Sequence, residues 1–505
     1  IYNAALEHLL PTPSKCTYLF NLRDVGKIVQ GVLQASRSYY DSRESLLQLW
    51  CHETQRVLSD RMWSSDDKTW LVSQIDKRLN EDMSTSWGAL FDRGEVPPFV
   101  SFMREVESPP YEAVNDMNAL KDLLTEKLED YNLEPGTSAM DLVLFRDAMH
   151  HLCRIHRVLC LPRGNALLVG IGGSGRKSMA RLAAYVAELK VFSIEITKNY
   201  RLQEFYEDLK MLFKQAGASN KPTVFLFDDQ QIVHETFLEA INNILTSGIV
   251  PNIFPKDELP PILDECRADA KKVGMGDTAD QVFKFFLERV RSNLHVVLCM
   301  SPVGEAFRAR CRQFPSLINC CTIDWYSIWP REALLSVSRR FLEKMDLGSD
   351  EAHEAVISFC PEIHLSVKEM AERFFAELRR RYYTTPKSYL DLIALYTKLL
   401  GEKRAEFETA RDRLLNGLSK LSETNAMVDG MQEELTKLQP VLEEKSKATA
   451  ELLVNVERDQ AEAEKVKAVV AVEEKQVKEQ ADATKLIADD AKADLAEALP
   501  ALEAA

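Results

Sequence analysis

The chain has no basic excess, no cysteines paired at metal spacing and no long apolar run, and each absence removes a class of protein. Lys and Arg number 63 against 78 Asp and Glu, a formal net charge of −15. Nucleic-acid binders usually present a basic face, so no nucleic-acid partner is expected. Ten cysteines are scattered singly apart from Cys320-Cys321, and no C-x-x-C pair occurs. That excludes a sequence-local zinc motif and a disulfide framework, and free thiols fit a reducing compartment. No apolar run approaches the ~20 residues that cross a bilayer, and no charged-then-apolar signal segment opens the chain, so no membrane partner is expected. Beyond residue 401 there is no Trp, Tyr or Cys, and Phe407 is the only aromatic residue.

What is present is ordinary in bulk: 505 residues, 46% hydrophobic and 28% charged, too many for one core and enough for about three units. The chain starts at Ile1 without Met and ends inside a helical pattern, which reads as a piece of something longer. Residues 1–137 look helical throughout, with no strand run of note. Residues 138–330 alternate strands (165–169, 191–196, 223–227, 294–300 and about 319–325) with helices, implying a mostly parallel sheet covered on both faces. The stretch 251–281, rich in Pro, Asp and Gly, reads as an insertion or long loop. Helices are expected again at 331–342, 351–359, 366–380 and 388–400.

The strongest chemical signal is a glycine-rich loop between an apolar strand and a helix. Asn165 to Val169 form the strand pattern, and Met179, Leu182, Ala183, Val186 and Leu189 recur at helical spacing. Between them lie Gly170, Gly172, Gly173, Ser174, Gly175, Arg176, Lys177 and Ser178. Glycines let backbone approach phosphate oxygens, and N–H groups at the helix start face the anion. The spacing matches G-x-x-x-x-G-K-[ST] at Gly170 and Gly175, but Arg176 fills the lysine slot and Lys177 the hydroxyl slot. Ser178 comes one position late, so its contact with a metal requires it to reach round.

A second strand, Thr223 to Phe227, ends on Asp228-Asp229, about 50 residues after the loop. This resembles a Walker B pattern. Asp228 would hold Mg²⁺ through water, and Asp229 fills the slot where a longer glutamate polarises the attacking water. A third strand, 294–300, ends at Ser301, in the place where ring ATPases put a polar residue near the γ-phosphate. Arg308, Arg310 and Arg312 follow, and one of them could reach a neighbouring module's nucleotide. An acidic strand end can also be a solvated turn, and a row of arginines a solvated face. His150, His151 and His156 lack a third ligand type at metal spacing and read as structural.

From 401 onward, positions seven apart stay mostly apolar: Leu414, Leu421, Val428, Leu435, Leu442, Val456, Ala463, Val470 and Val477. That is a coiled-coil seam. Its second position falls four residues on at Leu418 and Leu453, but three on at Met431, Leu438, Leu452, Val466 and Ile487, so more than one register is open. About 100 helical residues would reach ~150 Å. Pro440 inside is expected to remove a backbone bond and kink the helix. The stretch carries nine more acidic than basic side chains, as a solvated rod would.

Taken in order, the phosphate loop, the acidic strand end, the run CMSPVGEAFRARCRQFPSLINCCTIDW (299–325), a helical lid and a long heptad helix resemble the dynein heavy chain. More narrowly they resemble its fourth AAA+ module followed by the ascending half of the stalk. The approach Leu161-Pro162-Arg163-Gly164-Asn165 is similar to that family's entrance to the loop. Tyr18 to Asp24 looks like the lid helix of the third module, with Arg23 in the sensor II slot. LQPVLEEKSKATAELL (438–453) resembles the stalk, Pro440 included, and Ala498 to Glu503 the stretch before the microtubule-binding tip.

The resemblance implies an α/β AAA+ P-loop ATPase module with a five-stranded parallel sheet in the order 5-1-4-3-2, a helical lid, and a long antiparallel coiled-coil stalk helix. It divides the chain into a third-module lid and linker (1–137), a large α/β subdomain (138–330), a small helical subdomain (331–400) and the stalk helix (401–505). It further implies an ATP-driven motor on microtubules, with a site that holds ATP or ADP and Mg²⁺ in a regulatory role. Its expected partners are microtubules through the tip, other AAA+ modules, the returning stalk helix, and intermediate and light chains. The loop 172–176 looks more axonemal than cytoplasmic, which points to a cilium or flagellum. The departures at 176–178, with Asp229, imply slow hydrolysis or none. Two other readings stay open: a structural coiled-coil protein with a dead nucleotide fold, and a chromosome-organising ATPase. The second usually places its loop and acidic strand on opposite sides of the coil, whereas here both precede it.

Overall fold

The computed structural model describes residues 1–502 apart from 14, 38, 92–93 and 344, with side chains described as far as 489. Two compact units emerge, Ile1–Leu399 and the chain from Leu400 onward.

In the first unit the strands β3 (Ala166–Val169), β4 (Lys190–Phe192), β5 (Thr223–Asp228), β6 (Leu294–Met300) and β7 (Thr322–Trp325) pair in parallel in the order β4-β5-β6-β3-β7. Counted within this sheet alone, that is the expected 5-1-4-3-2. The central strands are continuous apolar runs because both of their faces are buried. Alternate residues go to opposite cores. Leu167, Val169, Phe225, Phe227 and Leu298 pack with the helices Leu202–Phe213, Glu235–Ser247, Leu259–Lys272 and Ala279–Asn293. Leu168, Val224, Leu226 and Val297 pack with Met117–Leu133, Arg146–Cys160 and Arg176–Val186. This alternation puts the C-terminal ends of β3, β5 and β6, and the loops after them, along one edge, where open parallel sheets hold ligands.

The first 84 residues are helices around Leu49, Leu58, Leu71, Ile75 and Leu79. Buried ion pairs stitch this bundle together and to the helix Arg146–Cys160. Arg61 reaches Asp24 at 2.7 Å, and Arg157 grips Glu53, with its Nε 2.9 Å from both carboxylate oxygens. Tyr111 donates to the same Glu53 at 2.8 Å. A Cβ at Gly31 would lie 1.6 Å from Glu53 Oε2, so the carboxylate fits only over a glycine. A small helical group built on Leu334, Val337, Leu342, Ile357, Tyr389 and Ile393 follows the sheet.

Several sequence expectations change. Residues 1–137 contain a short antiparallel pair, β1 (Phe99–Val100) and β2 (Glu112–Ala113). The stretch 251–281 holds the helix Leu259–Lys272, buried through Ile262, Leu263, Cys266 and Ala270. Pro260 and Pro261 disguised it, but proline is tolerated in a first turn, where its missing N–H has no helical partner. The separate helices at 351–359 and 366–380 are one, Asp350–Leu378, running through the buried Pro361. The strand expected at 191–196 is only three residues long. Gly401 does not end a helix either. A single helix, Pro386–Leu502, runs through Gly401 and Pro440. At about 1 kcal/mol in a helix interior, one glycine is too small a defect to stop it.

In the second unit the seam residues are exposed; Leu414, Leu421, Leu435 and Leu442 each keep more than 60% of their surface.

Candidate nucleotide site

The loop folds as its glycines allow. Gly170 donates to the Met300 carbonyl at 3.1 Å, and a Cβ there would come 2.8 Å from Tyr326 Cβ. Gly173 and Gly175 have φ of +82° and +84°, the left-handed region that only glycine enters without strain. Gly175 caps the helix Arg176–Val186, so that helix's free N–H groups and positive dipole end open onto the loop.

A cavity of about 320 Å³ lies over it. One end is polar, lined by Gly172 to Ser178, Asp228, Asp229 and Gln230. The other is apolar, lined by Leu142, Val143, Phe145, Trp329, Phe341 and Leu390. The shape suits a flat heterocycle joined to a polyanion. Three buried polar atoms at this site have no partner among the described residues: Ser174 Oγ, Arg176 Nη1 and Tyr326 Oη. Buried polar atoms are nearly always satisfied, so three orphans at one loop point to a ligand. Burial raises the Tyr326 pKa well above its usual value, which keeps it a proton donor. Its ring stacks on His151 with centroids 3.8 Å apart. His151 in turn meets Asp324 at 2.6 Å. Burial pushes the Asp324 carboxyl up, but His151 and Arg154 outweigh it and hold it at about 2.

The acidic strand end is knitted to its neighbours. Asp229 accepts from the Ser301 backbone N–H at 2.9 Å, joining β5 to β6. Asp228 Oδ1 accepts from the N–H groups of Gln230 and Gln231, at 2.9 and 3.1 Å, and Oδ2 from the Lys177 ammonium at 2.6 Å. Both Asp228 oxygens therefore have protein partners. The residues present fit nucleotide phosphates. They fit magnesium poorly, because the Lys177 ammonium sits 2.6 Å from the carboxylate oxygen that the metal or its water would use and repels a divalent ion there. Among the described residues no cluster of three His, Cys, Asp or Glu could hold a metal, and the histidines at 150, 151 and 156 form none.

Of the sequence candidates, Gly172 to Ser178, Asp228 and Asp229 line the cavity, Gly170 does not, and Ser301 touches it through Asp229. Arg308, Arg310 and Arg312 do not line it. Arg308 pairs with Glu305 at 2.8 Å and Arg310 with Glu235 at 3.1 Å, while Arg312 is exposed with no hydrogen bond or ion pair among the described residues. Arg23 lies 3.0 Å from Cys320 Sγ, away from the cavity. Sequence reading missed the apolar wall and Lys387. The wall had a faint signal in Leu142-Val143-Leu144-Phe145, just ahead of the helix Arg146–Cys160. Lys387 had none: a Cβ on Gly173 would lie 2.6 Å from its N and Cβ, so the first turn of the helix Pro386–Leu502 rests on the loop. Thr385 and Ser388 exchange hydrogen bonds at 3.1 Å and cap that turn.

Comparison with known proteins agrees with this architecture. The family model described as the P-loop containing dynein motor region D4 matches residues 140–399, and an AAA+ lid domain matches residues 3–84. The chain is 61% identical over 434 residues to the dynein-1-beta heavy chain of the flagellar inner arm I1 complex of Chlamydomonas reinhardtii, covering 85% of this chain and 10% of that one. It is 47% identical to human dynein axonemal heavy chain 6 (97% of this chain, 12% of that one). It is 44% identical to mouse dynein axonemal heavy chain 2 (100% and 11%). The chain thus spans about a tenth of the length of the curated relatives it matches.

Proposed function

The chain belongs to the dynein heavy-chain family, and on that premise we propose that it is the part of an axonemal, ATP-driven microtubule motor running from the third AAA+ lid into the ascending stalk. Residues 1–137 are the third-module lid and linker, 138–330 and 331–400 the large and small parts of the fourth module, and 401–505 the stalk helix. The cavity over Gly170–Ser178 holds ADP or ATP, with the purine in the apolar end. Its role is regulatory, and hydrolysis there is slow or absent. The whole motor is the ATPase. Its partners are microtubules through a tip outside this chain, the other AAA+ modules, the returning stalk helix, and intermediate and light chains. It works in the cytoplasm and cytoskeleton of the cilium or flagellum, as the axonemal and flagellar names of its relatives suggest.

One observation carries the regulatory reading. The loop that would grip phosphate abuts Lys387, in the first turn of the helix that continues to Leu502. A shift of the loop on binding or releasing phosphate therefore presses on that turn within contact distance. The three- and four-residue seam spacings give the same helix two ways of meeting a partner, as a transmitted shift requires. Of the three arginines, Arg312 is the one with no hydrogen bond or ion pair among the described residues and the best candidate to reach across the ring.

Adenine-nucleotide binding and turnover by the 505-residue chain test this. Stoichiometric ADP binding with turnover near the background rate is the expected result. Rapid hydrolysis lost on Asp229→Ala refutes the non-hydrolytic role, and no binding at millimolar ATP leaves a structural coiled-coil protein with a dead nucleotide fold.

A further inference from the structure

The two odd residues of the loop make chemical sense together. A phosphate loop normally supplies one lysine charge and leaves the next position to a hydroxyl that helps hold a divalent ion. Here Arg176 holds the first slot with Nη1 buried and unpartnered. Lys177, in the second, sends its ammonium 2.6 Å from Asp228 Oδ2. The other Asp228 oxygen is taken by two backbone N–H groups, so the acceptor site left on the carboxylate is on Oδ2, directly beside the ammonium. Magnesium demands six oxygens at ~2.1 Å in near-octahedral array, and a divalent ion beside an ammonium is repelled by it. The ammonium has three N–H donors, of which Asp228 takes one. Lys177 is half exposed, lines the same cavity as Ser174 and Arg176, and sits in the first turn of a helix whose dipole favours anions.

We propose that the Lys177 ammonium, held by Asp228, stands in for the divalent cation, so that this loop binds the polyphosphate of an adenine nucleotide without Mg²⁺. The proposal rests on the nucleotide reading of the cavity. Arg176 and Lys177 together bring two positive charges to the phosphates, where a usual loop brings one plus a metal. Asp228 then serves as the anchor that aims Lys177 rather than as a metal ligand. Ser178, one position on, is left to offer its hydroxyl directly to phosphate.

The test is equilibrium binding of labelled ADP to the 505-residue chain, with saturating Mg²⁺ and again with excess EDTA. The expected result is a Kd that changes by less than about threefold between the two. In Lys177→Thr, which restores the hydroxyl, ADP affinity in EDTA falls by about tenfold or more and Mg²⁺ recovers it. In Lys177→Met binding is weak under both conditions. A wild-type chain that loses about tenfold or more in affinity on chelation overturns the proposal, as does Lys177→Met binding as tightly as wild type. No ADP binding under either condition removes the nucleotide reading itself, a separate outcome. The wild-type comparison needs no variant, and circular dichroism melts establish that each variant is folded.

Discussion

Three glycines in one loop offer a graded test of whether it leans on the long helix. Gly172 has no positive φ, and a Cβ there would touch nothing within 4 Å, so Gly172→Ala is expected to change stability by no more than about 0.5 kcal/mol. Gly175 also has open space but sits at φ +84°, so Gly175→Ala adds only left-handed strain, about 1–2 kcal/mol. Gly173 combines φ +82° with a Cβ 2.6 Å from Lys387 N and Cβ and 2.9 Å from its Cα. The obstacle is backbone and the base of a side chain, so it cannot swing aside. Overpacking of this kind costs about 1–3 kcal/mol beyond the strain, for a total of roughly 2–5 kcal/mol. Urea denaturation of the nucleotide-free chain reads the total. Amide hydrogen exchange reads its location: the first-turn amides after Pro386 should exchange faster in Gly173→Ala and as in wild type in Gly175→Ala. If Gly173→Ala proves no worse than Gly175→Ala, and those amides stay protected, the loop does not bear on the helix and the regulatory reading loses its physical link.

Arg157 and Glu53 are each at least 98% buried, so Arg157→Leu strands a carboxylate and is expected to lower stability by about 3–5 kcal/mol by calorimetry, whereas adding Glu53→Leu restores much of the loss. Burial holds the His156 pKa at about 4 against ~6.5 unfolded, so the fold favours its neutral form. Its contribution is complete above pH ~6.5 and is lost as the pH falls toward about 4, by roughly 3 kcal/mol, and His156→Gln should flatten that slope in denaturation curves. Losing the Asp229 carboxylate frees the Ser301 N–H, so Asp229→Ala should loosen the end of β6 and raise amide exchange at Ser301 and Val303 without abolishing ADP binding. Replacing the exposed Leu414, Leu421 and Leu435 together by Gln should reduce self-association of the chain in sedimentation, because water-facing leucines on one seam drive helices together.

The sheet was legible because its strands carry their own pattern. Leu294 to Met300 is seven buried residues in a row, and a run this short with paired valines suits a strand covered on both faces. The loop was legible because glycine spacing is a local code. What the pattern hid were features that context decides. Pro260-Pro261 looks like a break until it is placed in a first turn, and Pro361 looks like one until the helix around it is seen packed on both sides of it through Ile357, Cys360 and His364. The apolar wall of the cavity comes from residues 142–145, 329–341 and 390, and only the closed fold assembles them. No sequence pattern joins Gly173 to Lys387 across 214 positions.

The same limit governs how the loop's two substitutions are understood. One at a time, arginine for lysine and lysine for a hydroxyl both look like damage: a bulkier cation that is not a point charge, and a lost metal ligand. The contact that changes their meaning joins Lys177 to Asp228, which lies 51 residues on at the end of another strand. With that contact, the site keeps a second positive charge, carried by a tethered side chain instead of a dissociable ion. A tethered cation cannot leave with the product or exchange with solvent metal. It also contributes one charge where magnesium contributes two, so it stabilises less of the charge that builds up as a γ-phosphate is transferred. An arrangement of this kind favours holding a nucleotide over turning it over, which is the behaviour a regulatory site needs. The chelation experiment and the turnover experiment therefore test one electrostatic arrangement from two sides: a chain that needs Mg²⁺ for ADP should also be the chain that hydrolyses ATP.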